Sequence, residues 1–433
     1  MAAESNRSAR PSTARQSPHS APPQPRSGLP APAGSFTGYE RFVIALLALL
    51  QFTIVLDFMI IAPLGALVMP VLRLTPAQFG LVVSAYAFSA GVSGILTAGF
   101  ADRFDRRKLL LVFYAGFMVG TALCAHASSY PMLLVARLVT GLFAGVVGSV
   151  SFAIIADLFS FERRGSVMGI VQTAFGASTV LGVPAGLMLA AHFSWNSPFY
   201  LIVALSLVLF VLILVDMEPV AGHLKDRVDR SAWHHLRHTL SNRWYLQGFL
   251  TTCLLSIGGF TLVPFMSAFV VNNVGVPVHR LPLVYVLVGA CTVIAGPIIG
   301  RVSDGVGKYR VFAASCALAV VMVLIYTHLG PTPLWLLIPI MGALQVAVFS
   351  RIITSSALVS AIPSPPDRGA YMAIGSSAQQ LAGGLAASIA GYVVTQTPEN
   401  EVLHYDALGY LVVLTTLISL ALMFLISRRV ERA

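Results

Sequence analysis

Two charged segments of this chain echo each other. Residues 98–110 read AGFADRFDRRKLL, and residues 300–312 read GRVSDGVGKYRVF. Each places an aspartate ahead of basic residues between long apolar runs, and the two aspartates, Asp102 and Asp304, are 202 positions apart. A second match, between Arg164-Gly165 and Arg368-Gly369, has an offset of 204. Two matches at nearly the same offset indicate an internal repeat of about half the chain.

The sequence around these segments is too apolar for a soluble fold. Of 433 residues, 57% are hydrophobic and 10% are charged, and the mean hydropathy is +0.82. An ordinary soluble domain has about 25% charged residues. The runs 165–215 and 311–350 contain no Asp, Glu, Lys or Arg, and each is long enough for two membrane helices of about 20 residues. The chain is therefore predicted to be a polytopic helical membrane protein.

Division of the apolar runs at turn-forming residues predicts twelve membrane spans. The two longest runs divide at Ser194–Pro198 and at Gly330–Pro331, where the apolar pattern is interrupted. We number the spans 1 to 12, and their predicted ranges are 42–70, 76–101, 108–127, 130–158, 165–192, 198–216, 244–273, 282–302, 309–328, 332–362, 369–396 and 406–427.

The basic residues predict the orientation of these spans. An even number of spans places both termini on one side, and 23 of the 27 lysines and arginines belong to segments on that side. Cytoplasmic loops of membrane proteins collect lysine and arginine. Both termini are therefore predicted to be cytoplasmic, in a bacterial-type inner membrane, and the net charge of +10 gives no reason to expect a nucleic acid partner.

The predicted fold class is an all-α membrane protein with two pseudo-symmetric bundles of six helices. The first 40 residues are rich in Pro, Ser and Ala and lack the apolar stretch of a signal peptide, so a disordered cytoplasmic tail is expected. The predicted domains are the tail 1–40, the first bundle 41–216, a linker 217–243 with an interfacial helix over 231–240, the second bundle 244–427 and a cytoplasmic C-terminus 428–433.

The segment 98–110 resembles the signature of the major facilitator superfamily, G-x-L-A-D-R-x-G-R-K/R-x-x-L. Its charged positions match, whereas Ala98 and Asp105 stand where the signature has glycine. The second copy keeps both glycines as Gly300 and Gly307. The resemblance implies a conformational latch between spans 2 and 11. The predicted latch residues, to which Asp157 at the end of span 4 is added, are Asp102, Arg103, Arg106, Arg107, Asp157, Asp304 and Lys308.

Two further motifs resemble the twelve-helix drug and sugar efflux branch of that family. Arg137-Leu-Val-Thr-Gly141 is similar to the R-x-x-x-G motif of span 4, and Gly182-Val-Pro184-Ala-Gly186 is similar to the antiporter motif of span 5. Pro264 in span 7 also resembles that branch. These resemblances imply proton-coupled export.

Small residues four apart predict close helix contacts. The pairs Gly141/Gly145, Gly182/Gly186 and Gly296/Gly300 have the small-xxx-small spacing that lets helices approach. Pro184 and Pro264 are expected to kink their spans, because proline removes a helical hydrogen bond.

Asp57 is the acidic residue predicted to lie inside the membrane, about 22 Å from the start of span 1 at 1.5 Å per residue. An intramembrane carboxylate costs about 2.5–3.5 kcal/mol on insertion scales, and burial favours its protonated form. It is interpreted either as a proton carrier in a wet cavity or as half of a fixed ion pair. Arg137 in span 4 is interpreted either as its coupling partner or as a structural donor to backbone carbonyls.

A central cavity is predicted between the two bundles, lined by polar and aromatic residues. Arg351 in span 10 is a candidate for substrate or gate contact, with snorkelling to the interface as the alternative. The other lining candidates are Gln51, Tyr86, Gln172, Phe175, Phe265, Tyr285, Gln345, Gln379 and Gln380. This set favours a lipophilic substrate that is neutral or weakly charged.

The predicted function is proton-coupled secondary transport that exports a small molecule such as a drug, sugar or metabolite by alternating access. The alternatives are uptake by proton symport and, as a less favoured class, a membrane-embedded receptor or enzyme. No catalytic or nucleotide-binding motif is present in the sequence. His234 and His238 have the i, i+4 spacing of a metal pair, but no acidic or cysteine partner lies nearby, so no metal is expected. The expected partners are a small-molecule substrate, protons and the lipid bilayer. The chain is expected to be a monomer that needs no cofactor and uses the proton gradient as its energy source.

Overall fold

The computed structural model describes residues 36–222, 239, 241–364 and 367–430. The predicted tail, apart from its last residues, and most of the predicted interfacial helix over 231–240 lie outside the described residues. The described residues from Gly38 onward belong to one compact unit.

Twelve spans are present in this part of the chain, numbered as above. Their helical bounds are Gly38–Ile60 with Gly65–Val71, Pro76–Phe100, Arg106–Ala125, Tyr130–Leu158, Phe161–His192, Ser197–Asp216, Arg243–Phe260 with Met266–Asn272, Leu281–Val306, Lys308–Thr327, Leu334–Val359, Arg368–Val393 and Tyr405–Val430. In the described residues, eleven of these segments are long and apolar enough to cross a membrane. The remaining one, span 11, is a 26-residue helix that carries Gln379 and Gln380 and is less apolar. These helices form the all-α membrane fold predicted from the sequence.

Three spans are interrupted near prolines. Span 1 turns over residues 61–64, which include Pro63, so the prediction of one uninterrupted span over 42–70 is wrong there. Span 5 contains a π-helical segment, Ser178–Gly182, immediately before the turn that holds Pro184. Span 7 is broken by a 3-10 turn, Val263–Phe265, around Pro264. Proline lacks an N–H and clashes with the preceding turn, which explains why regular α-helix stops at these points.

Side-chain caps define where two spans begin. Thr75 and Gln78 form a reciprocal capping box ahead of span 2, with Pro76 in the first turn. Asp105 accepts a hydrogen bond from the backbone N–H of Lys108 at 3.0 Å and caps span 3. Asp105, which departs from the glycine of the family signature, thus satisfies a backbone donor at the helix start.

The two halves meet at one end of the bundle. We call the end that holds residues 38, 101–105 and 430 the terminal face, and the end that holds residues 61–75 and 394–404 the distal face. At the distal face the Ser267 hydroxyl donates to the carbonyl of Ala62 at 3.1 Å, and the rings of Phe79 and Phe265 meet edge to face at 5.9 Å. These cross-half contacts, which we call the distal seal, close this end.

Toward the terminal face, spans 5 and 8 part. Near mid-span, Gly289 lies against Val180, and a Cβ at Gly289 would be 3.3 Å from that side chain. Further along, no heavy atom of the described residues lies within 4 Å of a Cβ built at Gly296 or Gly300. The prediction of close packing at Gly296 and Gly300 is therefore wrong. We call the gap between spans 5 and 8 on this side the cleft; spans 2 and 11 stay in contact from Gly80 as far as Gly94.

A short hairpin that the sequence analysis missed joins spans 11 and 12. Thr395–Gln396 pairs antiparallel with Val402–Leu403. The Asn273 side chain both donates to and accepts from the backbone of Val402, at 2.9 Å each. The hairpin is thereby tied to the end of span 7 at the distal face.

Candidate functional site

The centre of the first half contains a buried ion pair between Asp57 and Arg137. Arg137 Nη1 donates to Asp57 Oδ2 at 2.8 Å and to the Asp57 backbone carbonyl at 3.0 Å. Thr121 donates to Oδ1 at 3.2 Å, so both carboxylate oxygens are bonded. Both charged side chains are 0% exposed. Burial in this setting is tolerable because the two charges offset each other and both carboxylate oxygens accept hydrogen bonds.

Asp57 lies inside span 1, in its distal half, and further from the start than the 22 Å predicted from the sequence. The helix begins at Gly38 and ends at Ile60, so Asp57 is about 28 Å from its start at 1.5 Å per residue. It therefore lies close to the distal face. Ala62, whose carbonyl takes part in the distal seal, is five positions away.

Arg137 is also held by an aromatic ring. Its guanidinium carbon lies 4.4 Å from the centre of the Tyr86 ring, a cation–π geometry, and the Tyr86 hydroxyl donates to the Ile54 carbonyl at 3.2 Å. Arg137 Nε and Nη2 have no hydrogen-bond partner among the described residues. The guanidinium therefore retains donors for another acceptor if Asp57 becomes neutral.

The surroundings of the pair belong to spans 1 to 4. Tyr114 and Thr53 share a hydrogen bond of 3.0 Å, and the Cys124 sulfur is 3.9 Å from the Thr140 hydroxyl. Tyr86, predicted as a cavity residue, is buried beneath Arg137 instead. In this conformation the pair is enclosed within the first half and does not face the cleft.

The structure brings three of the predicted latch residues together. Arg106 Nε donates to Asp157 at 3.0 Å, and its Nη2 donates to Asp102 at 2.7 Å. The Arg106 side chain is 5% exposed, whereas that of Asp102 is 75% exposed. This network links spans 2, 3 and 4 within the first half.

The other predicted latch residues occupy different settings. Arg107 donates to the carbonyls of Ile213 and Leu214 at the end of span 6, at 3.3 and 2.6 Å. Arg103, Asp304 and Lys308 are exposed at the terminal face. Their proposed latch role remains a prediction.

The predicted cavity residues divide into three groups. Gln172 and Gln379 are exposed, and five are half-buried: Gln51, Phe175, Tyr285, Gln345 and Gln380. Phe265 is fully buried in the distal seal. Arg351 is 2% exposed and donates to Thr416 at 2.6 Å inside the second half. Arg351 therefore neither lines the cleft nor snorkels in this conformation, in contrast to both interpretations from the sequence.

Glycines bring spans 2 and 4 into direct contact. A Cβ at Gly141 would clash with the backbone of Tyr86, and one at Gly145 would clash with the backbone of Ala90. Gly182 and Gly186 likewise face side chains of span 1. The small-xxx-small spacing in spans 4 and 5 thus coincides with close helix approach.

The π-helical segment of span 5 is a feature that sequence reasoning missed. Ser178 donates to the carbonyls of Phe52 in span 1 and Ala174 in its own span, at 2.9 and 2.8 Å. The next residues reach Met59 of span 1 and Gly289 of span 8. π-Bulges are frequent at functional sites, and this one joins span 1 to the other half. Pro184 was the available signal, but it predicts an interruption without specifying its type.

The family of the chain follows from its sequence profile. The profile of the Major Facilitator Superfamily matches residues 47–350 and 248–433. The chain belongs to the Major Facilitator Superfamily. It is accordingly an integral, multi-pass membrane transporter and not an enzyme.

Several relatives are similar in sequence. An uncharacterised MFS-type transporter of Bacillus subtilis (strain 168), YceJ, is 25% identical over 88% of this chain and 95% of its own length. Multidrug resistance protein 3 of the same organism is 29% identical over 35% of this chain and 30% of its own length. A triacylglyceride transporter of Mycolicibacterium smegmatis is 32% identical over 37% of this chain and 28% of its own length.

Solved structures share the fold at low identity. A bacterial homologue of the human lysosomal transporter Spinster, in an inward-facing and unoccupied conformation, has a TM-score of 0.69 and 16% identity over 92% of this chain and 99% of its own. A mutant of the nucleoside transporter NupG has a TM-score of 0.71 and 14% identity over 88% of this chain and 98% of its own.

Proposed function

We propose that this chain is a proton-coupled exporter of a small lipophilic or neutral molecule, driven by the proton gradient across a bacterial-type inner membrane. Both termini are assigned to the cytoplasm, because the basic residues concentrate at the terminal face. The observation that carries the proposal is the fully buried Asp57–Arg137 pair, since ionisable groups inside a membrane often mark proton pathways.

The proposed cycle couples protonation of Asp57 to alternating access. The proposed cycle starts from the described conformation, with the cleft open toward the terminal face and Asp57 taken as ionised where it bonds to Arg137. When the halves rock and the distal seal opens, water reaches Asp57 because it lies close to that face. A proton then neutralises Asp57 and weakens its bond to Arg137. The proton is released toward the terminal face as the halves return to the described conformation, before the re-formed pair is enclosed again.

The cleft supports a substrate with much apolar surface. Its accessible candidates include the amides Gln172 and Gln379 and, half-buried, the aromatic residues Phe175 and Tyr285. A few polar groups among apolar walls are typical of small-molecule sites. Relatives that are named for multidrug resistance and triacylglyceride transport are consistent with a lipophilic cargo moved outward.

The proposal is tested in proteoliposomes loaded with a pH-sensitive dye, in which a lipophilic fluorescent cation is the transported probe. Substrate movement is expected to drive proton movement in the opposite direction, and Asp57→Asn is expected to abolish this exchange. Glu40→Gln is the matched control, because Glu40 forms a partly exposed ion pair with Arg163. Co-directional movement of probe and protons would favour uptake by symport instead. Transport that ignores the pH gradient would refute proton coupling.

A further inference from the structure

A groove lies on the terminal face of the second half, where the start of span 9 meets the end of span 12. It has a volume of about 440 Å³ and is lined by Val306, Gly307, Tyr309, Arg310, Phe424, Ser427 and Arg428. Arg310 and Arg428 are exposed on it. The Arg428 guanidinium lies over the Phe424 ring at 4.3 Å. The groove thus combines two cations with an apolar floor.

The internal repeat explains why this groove is open. The offset of 202 that relates Asp304 to Asp102 also relates Gly307 to Asp105 and Tyr309 to Arg107. In the first half, Asp105 caps the start of span 3, and Arg107 reaches the last carbonyls of span 6.

In the second half neither of these hydrogen bonds has a counterpart at the groove, and Tyr309 contacts span 12 through the Phe424 ring at 5.4 Å. Gly307 has no side chain and makes no cap for span 9, and Tyr309 replaces the arginine that bridges the corresponding helices of the first half. No carboxylate is among the residues that line the groove. Where the first half supplies its own anion and its own bridging cation, the described lining of this groove presents two arginines and no carboxylate.

We propose that this groove binds one anionic phospholipid, with its phosphate between Arg310 and Arg428. Basic pockets between membrane helices bind anionic headgroups, and arginine matches phosphate geometry. The occupant is a lipid and not free phosphate, because the groove continues onto apolar surface. Phe424, Leu425 and Val306 are 36%, 54% and 52% exposed, and acyl chains would cover them. The proposal is independent of the transported substrate and of proton coupling.

The test uses the full-length protein in detergent and titrates it with phosphatidylglycerol or phosphatidylcholine, with bound lipid counted by native mass spectrometry. The wild-type chain is expected to bind one phosphatidylglycerol in preference to phosphatidylcholine. Each arginine near an anionic lipid accounts for roughly a fivefold change in affinity, so Arg310→Gln/Arg428→Gln is expected to weaken binding about 30-fold. The matched control is Arg73→Gln/Arg280→Gln, which removes two exposed arginines from the distal face.

Two results would overturn the proposal. One is an affinity for phosphatidylglycerol that is the same in Arg310→Gln/Arg428→Gln as in the wild type and in Arg73→Gln/Arg280→Gln. The other is displacement of the lipid by millimolar inorganic phosphate, which would indicate a site for free anions. Because both arginines are exposed, their removal is not expected to unfold the protein. The single variants Arg310→Gln and Arg428→Gln provide the same test, with a fivefold loss expected for each.

Discussion

At the scale of single residues, Asp57 and Arg137 make each other's burial possible. Neither charge is exposed, and an isolated ion of either sign would be costly at this depth. The pair also differs from the other ion pairs described, because Arg106, Arg163 and their partners lie toward the terminal face with at least one partly exposed member. Removal of one partner from the buried pair is therefore expected to destabilise the protein far more than removal of both.

Asp57→Asn is predicted to destabilise the protein by about 3–5 kcal/mol, because it leaves the Arg137 charge buried without compensation. Asp57→Asn/Arg137→Gln removes both charges and is predicted to recover most of the apparent melting temperature in detergent. The double variant is nevertheless predicted to remain uncoupled in the proteoliposome assay. If it exchanged protons for substrate at the wild-type ratio, the pair would be purely structural.

At the scale of helices, the contact between spans 2 and 4 depends on the absence of side chains. Gly145 faces the backbone of Ala90, whereas a Cβ at Gly148, in the same helix, would meet no described atom within 4 Å. The two positions therefore form a matched pair in one span.

Gly145→Ala is predicted to destabilise the protein by about 1–3 kcal/mol, since the added methyl group must push the two helices apart. Gly148→Ala is predicted to be neutral or to stabilise by up to about 1 kcal/mol through higher helix propensity. Thermal unfolding of both variants in the same detergent compares them directly. Equal melting temperatures would contradict the close approach described here.

The cap of span 3 gives a second prediction at this scale. Asp105→Ala removes the acceptor for the Lys108 N–H and is predicted to cost about 1 kcal/mol. Asp105→Asn retains a capping oxygen and is predicted to stay near the wild-type stability. An equal loss of stability in the asparagine and alanine variants, measured by the same unfolding assay, would show that the charge and not the cap matters.

The sequence predicted the bounds of the helices better than it predicted which residues pack against each helix. Hydropathy and turn residues place span 4 at 130–158, which are also its structural bounds. In contrast, Gly141/Gly145 and Gly296/Gly300 share one spacing, yet the first pair packs tightly and the second lies open. The spacing shows which face of a helix carries small residues, but it does not show what lies opposite that face.

The same limitation applies to the candidate site. The sequence identified Asp57 and Arg137 as unusual intramembrane charges, but their direct contact spans 80 positions and depends on how spans 1 and 4 pack. Thr121 carried no recognised signal, and Pro184 predicted a kink in span 5 but not its π-helical type. Hydroxyl residues are common helix contacts in membranes, so their partners become evident only in the fold.

At the scale of the whole molecule, the two halves touch at the distal face and along spans 2 and 11, and they part between spans 5 and 8 toward the terminal face. The distal seal joins spans 1 and 2 of the first half to span 7 of the second, through Ala62 with Ser267 and Phe79 with Phe265. A transporter that alternates access must break these contacts once in each cycle.

Cross-linking tests this asymmetry in a cysteine-free background. Ala62→Cys/Ser267→Cys is predicted to form an intramolecular disulfide on oxidation and to stop transport until it is reduced. Gln172→Cys/Gly296→Cys, on spans 5 and 8 across the open cleft, is predicted to cross-link poorly under the same conditions. Faster cross-linking of the second pair would mean that the resting protein is closed at the terminal face.

Span 11 has a consequence for how the chain enters the bilayer during synthesis. Its glutamines make it less apolar than the other spans, and such a segment partitions poorly from the translocon into lipid on its own. Span 2, which contacts it through Gly80 and Gly91, is synthesised long before it. We expect span 11 to remain near the translocon until it docks on span 2, so that a ribosome-bound chain arrested just after residue 393 would be only partly integrated.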